Sequence, residues 1–142
     1  MILYLDSSSL FKCLIAEDHG DDVAVWVDAA EAVAASRVAY PEVAAALAGR
    51  HARRQITSDH MRQALDDLGA AWTDLLVVDL AERLAAELAV RHVLRGFDAV
   101  HLAAAVTLRD AVGNDGVAFS SFDEALSRAA VAEGLIVLEP GG

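Results

Sequence analysis

The chain has 142 residues, and its 11 Lys and Arg against 22 Asp and Glu leave a formal charge of −11. That balance excludes a protein that holds nucleic acid by bulk electrostatics, though not one that meets a strand at a local site. A hydrophobic fraction of 56% excludes a disordered chain, and the length predicts one domain over residues 1–142.

Ile2-Leu3-Tyr4-Leu5 reads as a buried strand, closed by Asp6 and three serines. A helix is expected from about Ser8 to Ala16, and Gly20-Asp21-Asp22 opens a second through Trp26 to about Ala30. Val33 to Ser36 is a weaker strand, and Pro41 supplies a first-turn residue for a helix to about Arg54. Ser58 is expected to cap a helix to about Trp72, and Leu75-Leu76-Val77-Val78 forms the third strand. Helices follow at about Leu80–His92 and Asp98–Arg109, separated by Gly96. A Gly113–Gly116 turn leads into the strand Val117-Ala118-Phe119. A helix from about Phe122 to Ala132 and a last strand, Leu135–Leu138, complete the chain, with Pro140–Gly142 as a loose end. Such alternation predicts an α/β fold with a mostly parallel sheet and helices on both faces.

Cys13 is the one cysteine, so an internal disulfide and a Cys-based zinc site are excluded. The first residues lack a basic export-signal region, and no stretch reaches the length of a membrane span. A cytoplasmic protein with no membrane partner is the expectation.

Four acids fall at informative places. Asp6 follows the first strand, Glu42 lies in the first turn of its helix, Asp98 opens a helix, and Asp123 follows the fourth strand. Ligands of open α/β sheets bind beyond the carboxyl ends of the strands. Taken singly, each acid is a reasonable cap or dipole partner. Capping does not require the four to converge, and convergence would make the site chemical. Two carboxylates about 4 Å apart repel by roughly 4 kcal/mol at an effective dielectric near 20, so four stay ionised together only around a cation. Hard oxygen donors without a Cys or His pair select Mg²⁺ or Mn²⁺, ions suited to phosphodiester hydrolysis by one or two metals. Walker and dinucleotide-binding glycine loops and a nucleophile elbow are absent. Ser8 stands where an aspartyl-phosphate hydrolase needs a second Asp, and the one lysine, Lys12, is too early for a phosphorylation receiver.

These residues resemble the PIN-domain ribonucleases, and within them the VapC toxins of VapBC toxin–antitoxin pairs. Leu5-Asp6-Ser7-Ser8-Ser9-Leu10-Phe11-Lys12 looks like the family's D-[ST]-S-[AS]-L-x-K start, and Tyr40-Pro41-Glu42-Val43 like its second acidic motif. Phe97-Asp98-Ala99-Val100-His101-Leu102-Ala103 is similar to its D-A-x-H-L-A helix, and Ser121-Phe122-Asp123-Glu124-Ala125-Leu126 to its [ST]-x-D-x-x-L close. The motifs come in the family's order and span almost the whole chain. The resemblance implies a three-layer sandwich around a parallel sheet of four or five strands. It also implies a Mg²⁺-dependent endoribonuclease, with Mn²⁺ as a substitute, acting on single-stranded RNA. Asp6, Glu42, Asp98 and Asp123 would then be the metal-binding quartet, and Ser8 and Ser121 the hydroxyls that orient water or a carboxylate. A cognate VapB-like antitoxin, and a homodimer, or a heterotetramer or larger assembly with that antitoxin, are implied as well.

Two other readings differ in class or substrate: a non-catalytic acidic pocket that receives a partner's basic side chain, and a DNA nuclease of similar fold. Arg50, Arg53, Arg54 and His51 form the one basic cluster. Arg53, eleven residues after Glu42, falls within about 20° of the same helical face and roughly 16 Å along the axis. It is placed to reach a phosphate along an RNA strand, to complement the helix dipole or to meet an antitoxin. Lys12 reads as a solvated lysine, though the family start includes it. His101, one turn after Asp98, is within reach of the pocket rim but reads first as a partly buried structural histidine, and Cys13 reads as an inert core thiol.

Overall fold

The side chains of Ile2–Leu5 (β1) point alternately to opposite faces of the sheet, and both faces are apolar. Ile2 and Tyr4 join one core with Ala34, Val117 and Phe119, whereas Leu3 and Leu5 join the other with Ala35 and Ala118. A strand apolar on both sides must be covered on both sides, and the computed structural model, which describes residues 1–141, shows that arrangement. Five parallel strands form one sheet in the order β3-β2-β1-β4-β5. They are β1, β2 (Ala32–Ser36), β3 (Leu76–Val78), β4 (Val117–Ser120) and β5 (Ile136–Val137).

Seven helices complete the layers. On one face lie α1 (Ser7–Leu14), α2 (Gly20–Ala29), α3 (Ala39–Ala52) and α4 (Ser58–Trp72). The other face carries α5 (Glu82–His92), α6 (Gly96–Val112) and α7 (Glu124–Ala132). Leu102 of α6 and Leu47 of α3 are fully buried at the two core centres, each worth about 2 kcal/mol in transfer free energy. This is the PIN-like sandwich, with five strands. No helix among the described residues is long and apolar enough to cross a membrane. Gly142, part of the expected loose end, lies outside the described residues.

Several boundaries differ from the sequence expectation. The α3 helix begins at Ala39, so Pro41 is its third residue, where no intrahelical donor is required. Thr57, not Ser58, caps α4, accepting from the His60 amide at 3.1 Å. Gly96 does not separate α5 from α6. It is the first residue of α6, and α5 ends at His92, capped by Val93 in the left-handed region (φ 53). The Leu94 amide then bonds back to the Ala89 carbonyl while its side chain packs on the core, so apolar anchoring holds a conformation that valine seldom adopts.

Candidate active site

The strand order reverses beside β1, where the chain returns from β3 at one edge to insert β4 on the other flank. Such a switch point opens a crevice at the carboxyl ends of the strands. Asp6 leaves β1 and Asp123 follows β4 at that crevice. The Asp6 amide continues the ladder to the Ser120 carbonyl, and the Ser9 and Ser120 hydroxyls pair at 2.7 Å beneath it.

Asp6 caps α1, accepting from the Ser9 amide at 2.9 Å. Its side chain also accepts from Ser8 Oγ at 2.7 Å and Ser121 Oγ at 2.5 Å. Burial, with only 4% of the residue exposed, raises the pKa of this carboxyl, and the three donors oppose that shift without cancelling it. The two serines tie neighbouring loops together: Ser8 Oγ accepts from the Phe122 amide and Ser121 Oγ from the Asp123 amide, each at 3.0 Å.

Glu42 stands in the first turn of α3, after β2. Its Oε1 receives Ser7 Oγ at 2.7 Å and His101 Nε2 at 2.8 Å. His101 is 2% exposed, and its Nδ1 lies 2.8 Å from the Tyr4 hydroxyl, which itself accepts from the Ser36 amide at 3.1 Å. With that acceptor site filled, the Tyr4 hydroxyl can donate to Nδ1, leaving Nε2–H to donate to Glu42. Burial pushes the Glu42 carboxyl up, but the bonds from His101 and Ser7 outweigh it and hold the pKa below the ordinary value.

Asp98 and Asp123 meet through a cation. Arg95, the residue before α6, donates through Nε to Asp98 at 3.0 Å and through Nη2 to Asp123 at 3.2 Å. The guanidinium is 81% exposed and its charge also helps to hold the Glu42 pKa down. Asp123 caps α7, accepting from the Leu126 amide at 2.9 Å. Asp98, on the second turn-forming position after Gly96, caps nothing. Glu42, Arg95 and Asp98 line a cleft of about 660 Å³ whose walls include the apolar Leu80, Phe97 and Val100.

Ser121 thus links Asp6 to the Asp123 backbone and Arg95 links Asp123 to Asp98, while Ser7 and His101 hold Glu42, which shares a cleft with Arg95 and Asp98. The oxygen donors of the four acids fit a hard divalent cation in kind. Among the described residues, however, no three His, Cys, Asp or Glu side chains stand ready-arranged around a common ion position. Each carboxylate is already engaged, by hydroxyls, by His101 or by Arg95.

Three of these partners went unread in the sequence. Ser7 and Tyr4 carry no signal beyond their closeness to Asp6, and Arg95 is one arginine among many. His101 is fully rather than partly buried, and it reaches the pocket as its place one turn after Asp98 allows, pairing with Glu42. Lys12 is not solvated: it pairs with Glu17 at 3.0 Å and covers the Phe122 ring at 4.5 Å. Cys13 is exposed rather than a core thiol.

Comparison with known proteins decides the family. Two curated relatives, ribonucleases VapC45 and VapC49 from two strains of Mycobacterium tuberculosis, are each 36% identical over 136 residues, covering 94% of this chain and 92% of theirs. The chain belongs to the VapC ribonuclease family. No protein-family profile matches it. Among solved structures, this VapC-family chain overlays PAE2754 from Pyrobaculum aerophilum with a TM-score of 0.66 and 17% identity, covering 96% of this chain and 83% of that one. It overlays VapBC2 from Rickettsia felis, bound to a DNA fragment from its promoter, with a TM-score of 0.65 and 13% identity over 97% and 98%. FitAcB from Neisseria gonorrhoeae gives 0.62 and 19% over 99% and 98%. At these identities the likeness concerns the fold.

Proposed function

We propose that this chain is a metal-dependent endoribonuclease toxin that cuts single-stranded RNA and is neutralised by a cognate antitoxin. The observation that supports the reading is that Asp6 and Asp123 follow the adjacent strands β1 and β4, while Arg95 pairs with both Asp98 and Asp123 beside Glu42. The ribonuclease relatives at 36% identity supply the reaction class.

The four carboxylates would hold Mg²⁺, or Mn²⁺ in its place, which supplies water activation and charge neutralisation at the scissile phosphate. The chain's own residues do the positioning. Ser8, Ser121 and the Ser9 amide orient Asp6, while Ser7 and His101 fix Glu42 and favour its ionised form. Arg95 neutralises Asp98 and Asp123, the charge that a bound cation would otherwise supply.

The same arginine supports a cationic antitoxin contact, because a guanidinium already pairs with Asp98 and Asp123 there. An antitoxin Arg or Lys entering from the cleft would find the exposed Leu80 and Phe97 beside the acids. Two toxin copies with two antitoxins would make the heterotetramer, and light scattering of the co-expressed pair reads it against a toxin homodimer.

The test is cleavage of a labelled single-stranded RNA by the wild type, Asp6→Asn and Asp98→Asn, with Mg²⁺ and with EDTA. Loss of cutting in both variants and in EDTA is expected. Wild-type cutting by either variant overturns the site, and undiminished cutting in EDTA overturns the metal. Growth arrest on expression, relieved by the product of an adjacent reading frame, tests the toxin–antitoxin relationship.

A further inference from the structure

A second groove opens from the acidic edge, on the α1–α3 side. Ser7, Ser8 and Glu42 line one part of a cavity of about 460 Å³, and Lys12, Arg50 and Arg53 line the same cavity. In a chain with 11 basic residues against 22 acids, gathering three cations in one groove beside the carboxylates runs against the overall field.

The helical repeat explains the shape. Ala46 and Gly49 follow Glu42 on one face of α3, with Gly49, seven residues on, about 20° from the acid's direction and roughly 10 Å along the axis. Small side chains there make a floor rather than a ridge. Arg53 caps the helix and folds its guanidinium back over Gly49, where an added Cβ would stand 3.2 Å from Nη1. The opposite wall includes Phe122, with Lys12 over its ring.

The three cations are not equivalent. Lys12 and Arg50 both pair with Glu17, at 3.0 and 2.9 Å, and Arg50 also stacks over Phe11. Arg53 makes no ion pair among the described residues, so its donors remain available to an incoming anion. Glu17 holds the other two in place along the wall.

From this arrangement we infer that the groove is a phosphate-binding track for single-stranded RNA, in which Arg53 takes a backbone phosphate a short stretch of strand away from the cleavage site. The inference rests on the ribonuclease reading. Phosphates bind the cationic wall by charge alone, and the Phe122 ring, covered by Lys12 and stacked with His19, seats the lysine at the groove's edge. The chain thereby draws a strand towards its acids despite its net charge, because attraction is local and the repulsion from distant carboxylates is screened beyond about 8 Å at physiological salt.

The experiment uses a fluorescein-labelled 12-nucleotide single-stranded RNA in EDTA, with fluorescence anisotropy measured across a salt series for the wild type, Arg53→Gln and Arg54→Gln. Arg54 is the charge-matched control, since it lines a separate cleft with His51 and Gln55. Arg53→Gln should weaken binding about fivefold to tenfold. It should also flatten the slope of log K against log salt by about 0.7, the value for one lost phosphate contact on a single strand. Arg54→Gln should match the wild type. With Mg²⁺, Arg53→Gln should raise KM for the 12-mer while kcat stays unchanged.

Equal binding and slope in the wild type and Arg53→Gln would overturn the track, as would an equal loss in both variants or no binding by the wild type. Binding with the expected Arg53 dependence, but no cleavage by the wild type with Mg²⁺, would overturn the nuclease reading and leave the track standing.

Discussion

His101 Nε2 lies 2.8 Å from Glu42 Oε1, across 59 residues of sequence and from the opposite face of the sheet. The imidazole reaches the acid past the ends of β1 and β2, held from behind by the Tyr4 hydroxyl. A core residue of one layer thus sets the conformation of an acid rooted in the other.

Removing that imidazole should affect both stability and the acid. His101→Ala leaves Tyr4 without its acceptor and opens a cavity, at a cost of about 2–4 kcal/mol. It also frees Glu42 to rotate, so RNA cutting should fall more than tenfold under conditions where the variant is still folded. Chemical denaturation and cleavage assays on the same preparation check both. Tyr4→Phe should cost about 1–3 kcal/mol and lower cutting less, because Nε2 still faces Glu42. Wild-type cutting by folded His101→Ala would contradict the positioning role.

Asp6 sets a second expectation, concerning pH. Burial raises its folded pKa above the unfolded value, so its contribution to stability is present below the unfolded pKa and lost as pH rises through the folded one. Asparagine mimics the protonated acid at every pH. In EDTA, Asp6→Asn should therefore gain thermal stability relative to the wild type as pH is raised from 4 to 8, while losing RNA cutting. Thermal melts across that series read the difference, and a gap independent of pH would contradict the assignment.

Arg95 should compete with a divalent cation. Arg95→Gln leaves Asp98 and Asp123 without their shared counter-ion, so Mn²⁺ should bind about fivefold more tightly by calorimetry at low salt. That is the effect of one charge interacting through water by about 1 kcal/mol. The difference should shrink at 0.5 M salt. Weaker Mn²⁺ binding in the variant would count against displacement of Arg95 by the metal.

Glu133 joins the ends of two helices far from the acids. Both its oxygens accept from Arg91 Nη1 at 2.8 Å, and Oε2 lies 2.6 Å from His92 Nε2. Although burial alone would raise it, these partners lower its pKa. Its contribution is thus present above the unfolded value, near 4.3, and lost as pH falls through the folded one. Glu133→Gln should lower Tm by roughly 3 °C at pH 7 and lose less at pH 3, with RNA cutting unchanged.

The buried apolar strand at Ile2–Leu5, the alternation of strands with helices and the places of the four acids beside element ends were legible in the sequence, because they depend on neighbours a few residues apart. The helix boundaries at Ala39, Thr57 and Val93 were less so, since caps and tertiary anchoring of Leu94 override local propensity. Sequence by itself thus determined the layer architecture and which carboxylates were candidates. Tertiary structure alone decided what holds each one. Ser121 meets Asp6 across 115 positions, His101 meets Glu42 across 59 and Arg95 meets Asp123 across 28. No local periodicity encodes such pairs. The first follows from the insertion of β4 beside β1, which places Ser121 next to the carboxyl end of β1; the others follow from helices α3, α6 and α7 starting over the carboxyl ends of the strands.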